Sequence, residues 1–283
     1  MTGPLPVTLP PLRGELLSSW ISRHAEFYGF MPLTMLRHGV SDATSLGAID
    51  CSLTKARARR IAEVFGVSPK LVRSLSFADA PKAAHQFISK SPMQRCARCT
   101  QTDVSPPPIL RSELQGWRIT CPHCGEPYQD KTTRDGDQTL APYRAVARRG
   151  ETLLHNHAER GAETWLQPLE IARLLLMRRI PRPPPSDGDL WRYRLLGAIV
   201  PDFDAILAEE TSFPYSPKHP ILPLHIRPAL LAGVAIIDRA GPPMLKMLQG
   251  HMMGDNKNRF AMATDHLVTP ATEWGPPQQY QLI

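Results

Sequence analysis

Four of the five cysteines fall in two pairs, Cys96-Ala-Arg-Cys99 and Cys121-Pro-His-Cys124, with 21 residues between them. A C-x-x-C pair folds into a tight knuckle whose thiolates point the same way. Two knuckles supply the four tetrahedral ligands that zinc prefers. The stretch between them carries Asp103, Ser105 and the run Pro106-Pro107-Pro108. It buries too little apolar surface to hold itself folded, so metal ligation would supply much of its stability. Four cysteines close the coordination sphere and leave no place for water, which makes the expected zinc structural. His123 lies between two ligands and can stand in for one of them, and Cys51 stands apart as a small buried residue. The alternatives are a disulfide pair and a chance grouping of buried thiols. No secretory pattern opens the sequence, and a reducing cytosol disfavours disulfides, so the expected location is the cytoplasm.

Charge is spread unevenly. Residues 1–150 hold 20 Lys and Arg against 12 Asp and Glu, whereas the remainder holds 13 against 14. Nearly all the excess lies between Lys55 and Arg98, where ten basic residues meet only Glu63 and Asp79. A concentrated basic segment beside a zinc knuckle is the footprint expected for a polyanion partner; solvation of ordinary helix faces is the bland alternative. No apolar run approaches the roughly 20 residues that span a bilayer.

An internal repeat organises the same region. Residues 24–36 (HAEFYGFMPLTML) align with residues 61–73 (IAEVFGVSPKLVR): Ala25 with Ala62, Glu26 with Glu63, Gly29 with Gly66 and Pro32 with Pro69. Each copy has the pattern of a helix-turn-helix. The alanine allows close helix packing, the glycine takes positive φ at a helix end, and the proline starts the next helix where its missing N–H is harmless. In the second copy Ser68 can cap the following helix. That helix, expected over Ser68 to Ser76, would present Ser68, Lys70 and Arg73 outward while Leu71, Val72 and Leu75 pack inward. The helix before it carries Lys55, Arg57, Arg59 and Arg60, placed for phosphates. The first copy offers Met31, Leu33, Met35 and Leu36 with only Arg37 and His38 polar, a surface suited to protein.

The C-terminal half turns helical again from about Glu151. Ile171 to Ile180 reads as an amphipathic helix stopped by Pro181, and residues 181–188 form a proline-rich linker favouring a stiff extended form. Further helices are expected over 190–207, broken at Pro201, and over 228–240, with a poorly ordered tail from Glu273. Thirty prolines, about twice average usage, fit many short helices with stiff connectors. Met244, Met247, Met252, Met253 and Met262 crowd into 19 residues, either as a docking surface or as core filler. His155-Asn-His157 spells the letters of a nuclease motif but falls inside an evident helix, Glu151 to Arg160. No Gly-rich phosphate loop, nucleophile elbow or paired carboxylates of convincing spacing occur, so no catalysis is expected.

The head of the chain, Leu9-Pro-Pro-Leu-Arg-Gly-Glu-Leu-Leu-Ser-Ser-Trp-Ile-Ser-Arg-His24, resembles the opening of the TniQ/TnsD family. In that family a proline-rich lead enters a G-E-S-L-x-S-W-L-x-R helix. Gly14, Glu15, Leu17, Ser19, Trp20, Ile21 and Arg23 fit, while Leu16 stands where the family usually has serine. The zinc segment fits too, with Trp117 shortly before Cys121. The family's second knuckle usually reads C-x-x-H and is followed by another cysteine pair. Here it is Cys121-Pro-His-Cys124 with no later cysteine, which points to a single zinc. The resemblance implies a target-selection adaptor of Tn7-like transposons. Such a protein joins a target-recognition element, either its own DNA-binding surface or an RNA-guided CRISPR effector, to an AAA+ regulator, with a head-to-tail homodimer as a further expectation. A stand-alone zinc-containing helix-turn-helix DNA-binding regulator is the second reading. The expected architecture is mainly α: a tandem helix-turn-helix domain over 1–90, a four-cysteine zinc module over 91–140 and a helical C-terminal domain over 141–283.

Overall fold

The computed structural model describes residues 3–99, 107–130, 143–177, 195–200, 203 and 216–268. The protein is mainly helical, as expected, with one pair of two-residue strands among the described residues. The linker at 181–188, most of 190–207 and the tail from 273 lie outside the described residues.

Helix α1 (Leu17–Phe27) sets Leu17, Trp20, Ile21 and Ala25 at helical spacing on one face, all fully buried. Helices α2 (Pro32–Gly39), α3 (Ile49–Ser52), α4 (Lys55–Phe65) and α5 (Pro69–Ser74) complete this core. At its centre the rings of Trp20, His24 and Phe65 meet with centroids 4.7–4.8 Å apart. Burial of a ring such as Phe65 contributes about 2 kcal/mol. Leu16, at the start of α1, offers no side-chain cap. The cap comes from α3 instead, where Asp50 Oδ1 accepts the Ser18 N–H at 2.9 Å. Burial drives the Asp50 carboxyl up to about 6 in spite of that hydrogen bond.

The repeat read from the sequence has a backbone cause. After α1, Gly29 N–H bonds Glu26 O and Phe30 N–H bonds Ala25 O. After α4, Gly66 N–H bonds Glu63 O and Val67 N–H bonds Ala62 O. The same two bonds close each helix, around glycines at φ 70° and 62°. Pro32 and Pro69 then occupy the first helical position of α2 and α5, and Ser68 Oγ accepts the Leu71 N–H at 3.2 Å. α5 ends at Ser74, two residues short of the helix expected from the sequence.

The second core is built from α6 (Arg144–Arg160), α7 (Pro168–Leu175), α8 (Arg227–Ala240), α9 (Pro242–Gly250) and α10 (Gly254–Val268). His155 and His157 sit mid-helix on α6, as expected, not on a ββα metal unit. α6 runs so close to α8 that a Cβ on Gly150 would lie 1.9 Å from Leu231 O. Leu16, Phe77, Phe87 and Trp117 join Leu154 and Leu231 in this same core, so one apolar cluster draws on all three spans, 1–90, 91–140 and 141–283. The methionines divide: Met252 is buried and Met244 packs against the core, whereas Met247 and Met262 are exposed.

Candidate metal centre and basic face

Strands β1 (Gln94–Arg95) and β2 (Gln129–Asp130) pair antiparallel, Gln94 opposite Asp130, and bring the two cysteine knuckles together. The second knuckle is the tip of a hairpin. Tyr128 N–H bonds Ile119 O at 3.0 Å, Cys121 N–H bonds Glu126 O at 2.8 Å and Gly125 N–H bonds Cys121 O at 2.9 Å. Gly125 turns at φ 77°, where a side chain would be strained. The sulfurs of Cys96, Cys99, Cys121 and Cys124 all lie within 4.8 Å of one another, with Cys96–Cys124 at 3.4 Å and Cys99–Cys121 at 3.7 Å. Tetrahedral zinc with Zn–S bonds of about 2.3 Å sets its sulfurs about 3.8 Å apart, so the four side chains fit that ion. None of the five cysteines is in a disulfide. Burial pushes the Cys96 and Cys99 thiols up, whereas a backbone hydrogen bond from Glu126 draws Cys124 down. Tyr128 packs over Cys96 and Cys121. Cys51 is half-buried against the second core, away from the cluster.

His123 is not part of the sulfur group. Its ring lies against Gly14, where a Cβ would sit 2.6 Å from Nε2. The glycine, at φ 74°, therefore lets the head motif touch the second knuckle. Backbone bonds continue the seam: Arg111 N–H to Gly14 O and Leu16 N–H to Ile109 O, both at 2.9 Å. Ser19 Oγ accepts the Ile109 N–H at 2.9 Å and donates to Glu15 Oε1 at 3.1 Å.

The rest of the head motif binds its own proline-rich lead. Trp20 Nε1 donates to Leu9 O at 2.9 Å, and Arg23 Nη2 donates to Pro10 O at 2.9 Å. Glu15 Oε2 accepts the Leu12 N–H at 2.9 Å. His24 accepts the Leu9 N–H at Nε2 and reaches Trp20 O through Nδ1, each at 2.9 Å, which requires the neutral ring protonated at Nδ1. Desolvation accordingly holds His24 below its ordinary pKa.

The C-terminal bundle grips the zinc segment from the other side. Glu151 on α6 is buried, and its carboxylate accepts the N–H groups of Ile119 and Thr120 at 3.2 Å and the Thr120 hydroxyl at 2.7 Å. Arg227, at the head of α8 and almost fully buried, donates to Gln94 Oε1 on β1, to Arg118 O before the second knuckle, and to Leu222 O. Burial lowers the Arg227 pKa to about 10. Neither Glu151 nor Arg227 carried a signal in the sequence, because their partners lie more than thirty and a hundred positions away.

Residues 6–127 match the family model described as TniQ. These residues form a TniQ domain. The match takes in the head motif, α1 to α5 and both cysteine knuckles, and marks a Tn7-like transposition-associated protein. TniQ proteins are non-catalytic. No curated protein and no solved structure matches the chain. No described helix is long and apolar enough to cross a membrane.

The basic residues of the TniQ domain are not equivalent. Lys55, Arg59 and Arg60 on α4 and Lys70 on α5 are exposed, with no carboxylate in ion-pair reach among the described residues. Ser68 is exposed but its hydroxyl is engaged as the α5 cap. Arg57 is paired with Asp42 at 2.6 Å, and Arg73 with Asp79. The first repeat differs from its sequence reading as well. Met35 and Leu36 are buried in the TniQ core, whereas Met31, Phe27 and Phe30 stand exposed at the turn between α1 and α2.

Proposed function

We propose that this chain is a non-enzymatic target-selection adaptor that holds one structural zinc through Cys96, Cys99, Cys121 and Cys124. It links a target-recognition element, DNA or an RNA-guided CRISPR effector, to an AAA+ transposition regulator. The observation that carries this reading is the TniQ match across a segment whose head motif and cysteine knuckles are hydrogen-bonded into one unit. An adaptor needs surfaces held at fixed spacing, and a cross-braced metal module supplies that rigidity without any catalytic group. Lys55, Arg59, Arg60 and Lys70 form the basic face offered to a nucleic-acid backbone, with Ser68, Arg57 and Arg73 at its margins. The chain acts as a homodimer in this reading, and light scattering that returns a strict monomer would remove that part.

The test is co-purification of the full chain with an AAA+ ATPase encoded beside it and with any neighbouring CRISPR effector. Recovery of either supports the adaptor. Recovery of neither, with sequence-selective duplex binding lost on Lys70→Ala, favours a stand-alone DNA-binding regulator, which the exposed basic face supports.

A further inference from the structure

The two paired arginines share one arrangement. Arg57 Nη2 rests on Asp42 Oδ2 at 2.6 Å, and Arg73 Nη2 rests on Asp79 Oδ1. In both pairs the arginine side chain is the more covered partner, 31% and 21% exposed, while both aspartates are 66% exposed. The carboxylates thus lie on the solvent side, where an incoming phosphate would arrive. Both belong to turns: Asp42 follows α2, and Asp79 follows α5.

We propose that Asp42 and Asp79 act as internal stand-ins for phosphate, holding Arg57 and Arg73 ready, so that a nucleic-acid backbone engages these arginines by displacing the aspartates. This rests on the nucleic-acid reading of the basic face. An exposed carboxylate–guanidinium pair is weak because water and salt screen it, so its release is cheap. A backbone phosphate offers the same planar fork a matched acceptor and gains counterion release besides. Until the exchange occurs, each aspartate cancels one cation and repels the approaching polyanion.

Asp42 is the stronger of the two. The next residue is Ala43, whose carbonyl accepts Arg37 Nε at 3.0 Å, so Arg37 from α2 and Arg57 from α4 bond adjacent residues. The Arg57 hydrogen bond first, and the charge of Arg60 after it, hold the Asp42 carboxyl below its ordinary range. Removing its charge therefore frees Arg57 and unmasks Arg60, and beside them stands Arg37, a residue of the first repeat that the sequence assigned to protein packing.

The experiment is fluorescence anisotropy of a labelled random-sequence duplex with the full chain, titrated over a range of salt. Asp42→Asn and Asp79→Asn are each expected to tighten binding about five- to tenfold near 0.1 M salt and to steepen the log–log salt slope by about 0.9 per freed arginine. Adding Arg57→Ala to Asp42→Asn should cancel the gain. Glu63→Gln, which removes an exposed charge on α4 that holds no arginine, should give much less. If the aspartate variants bind no tighter than wild type, or Glu63→Gln gains as much as Asp42→Asn, the exchange is wrong. A loss on Lys55→Ala and Lys70→Ala in that case keeps the nucleic-acid face itself. Absence of binding by all these chains at the lowest salt removes both.

Discussion

Glu15 and Arg23 form a buried two-point ion pair in which Arg23 Nε donates to Glu15 Oε1 and Nη2 to Oε2, both at 2.7 Å. The same carboxylate holds Leu12 N–H and the Ser19 hydroxyl, and the same guanidinium holds Pro10 O. Every oxygen and the forked face of the arginine are thereby used. Glu15→Ala leaves Arg23 buried without its counter-charge and is expected to lower stability by about 3–5 kcal/mol. Arg23→Lys should lose much of the same energy, because an ammonium cannot bridge both oxygens and Pro10 at once. Urea unfolding of the two variants checks this. A loss below 1 kcal/mol in Glu15→Ala would show the pair to be incidental.

The four-sulfur cluster predicts one zinc per chain, measurable by elemental analysis. Cys99→Ser or Cys124→Ser should lower the metal content sharply. Chelation should speed amide exchange first in the hairpin Ile119–Tyr128, before α1 and α4, since the knuckle hydrogen bonds depend on the metal. Full zinc content in both serine variants would contradict this ligand set.

Gly150 marks the closest approach of α6 and α8. Gly150→Ala places a methyl 1.9 Å from Leu231 O, against backbone that cannot rotate away, and should cost about 3 kcal/mol or more as the helices part. Gly250, at the end of α9, has open space around its Cβ position, so Gly250→Ala should be neutral or gain up to about 1 kcal/mol. Thermal melting of the pair separates helix-interface crowding from a general effect of alanine.

Two buried groups oppose each other in acid. Asp50 is raised from 3.8 to about 6 on folding, so the folded chain binds its proton more tightly between those values. Stability from this group is therefore highest below pH 4 and falls as pH rises toward 6, by about 3 kcal/mol in total. His24 is lowered from 6.5, so its contribution is complete above pH 6.5 and is lost as pH falls. Asp50→Asn keeps an oxygen for the Ser18 N–H and should remove the first slope, leaving a steeper acid decline. Melting temperatures of both chains from pH 4 to 7 test this; parallel curves would refute it.

Local chemistry was readable in the sequence and long-range chemistry was not. The cysteine spacing, the paired glycines and the prolines after them encode bonds spanning a few residues, so each announces its own turn. The match of Ala25 with Ala62 and of Glu26 with Glu63 marked the carbonyls that close two helices. Asp50 capping α1, Glu151 holding Thr120 and Arg227 reaching Gln94 depend on elements far along the chain, and a lone charge beside an apolar stretch shows no period. For the same reason Arg57 and Arg73 read as open cations, since Asp42 and Asp79 became their partners only once the turns had formed.

The grip of Arg227 on Gln94 and Arg118 ties the C-terminal bundle to the zinc hairpin through backbone and amide acceptors far from it in sequence. A C-terminal bundle grafted from a relative would need an arginine at the head of the equivalent helix, and a carboxylate where Glu151 holds Ile119 and Thr120. The two parts should therefore be exchangeable only as a matched pair, with the surfaces outside this joint free to vary.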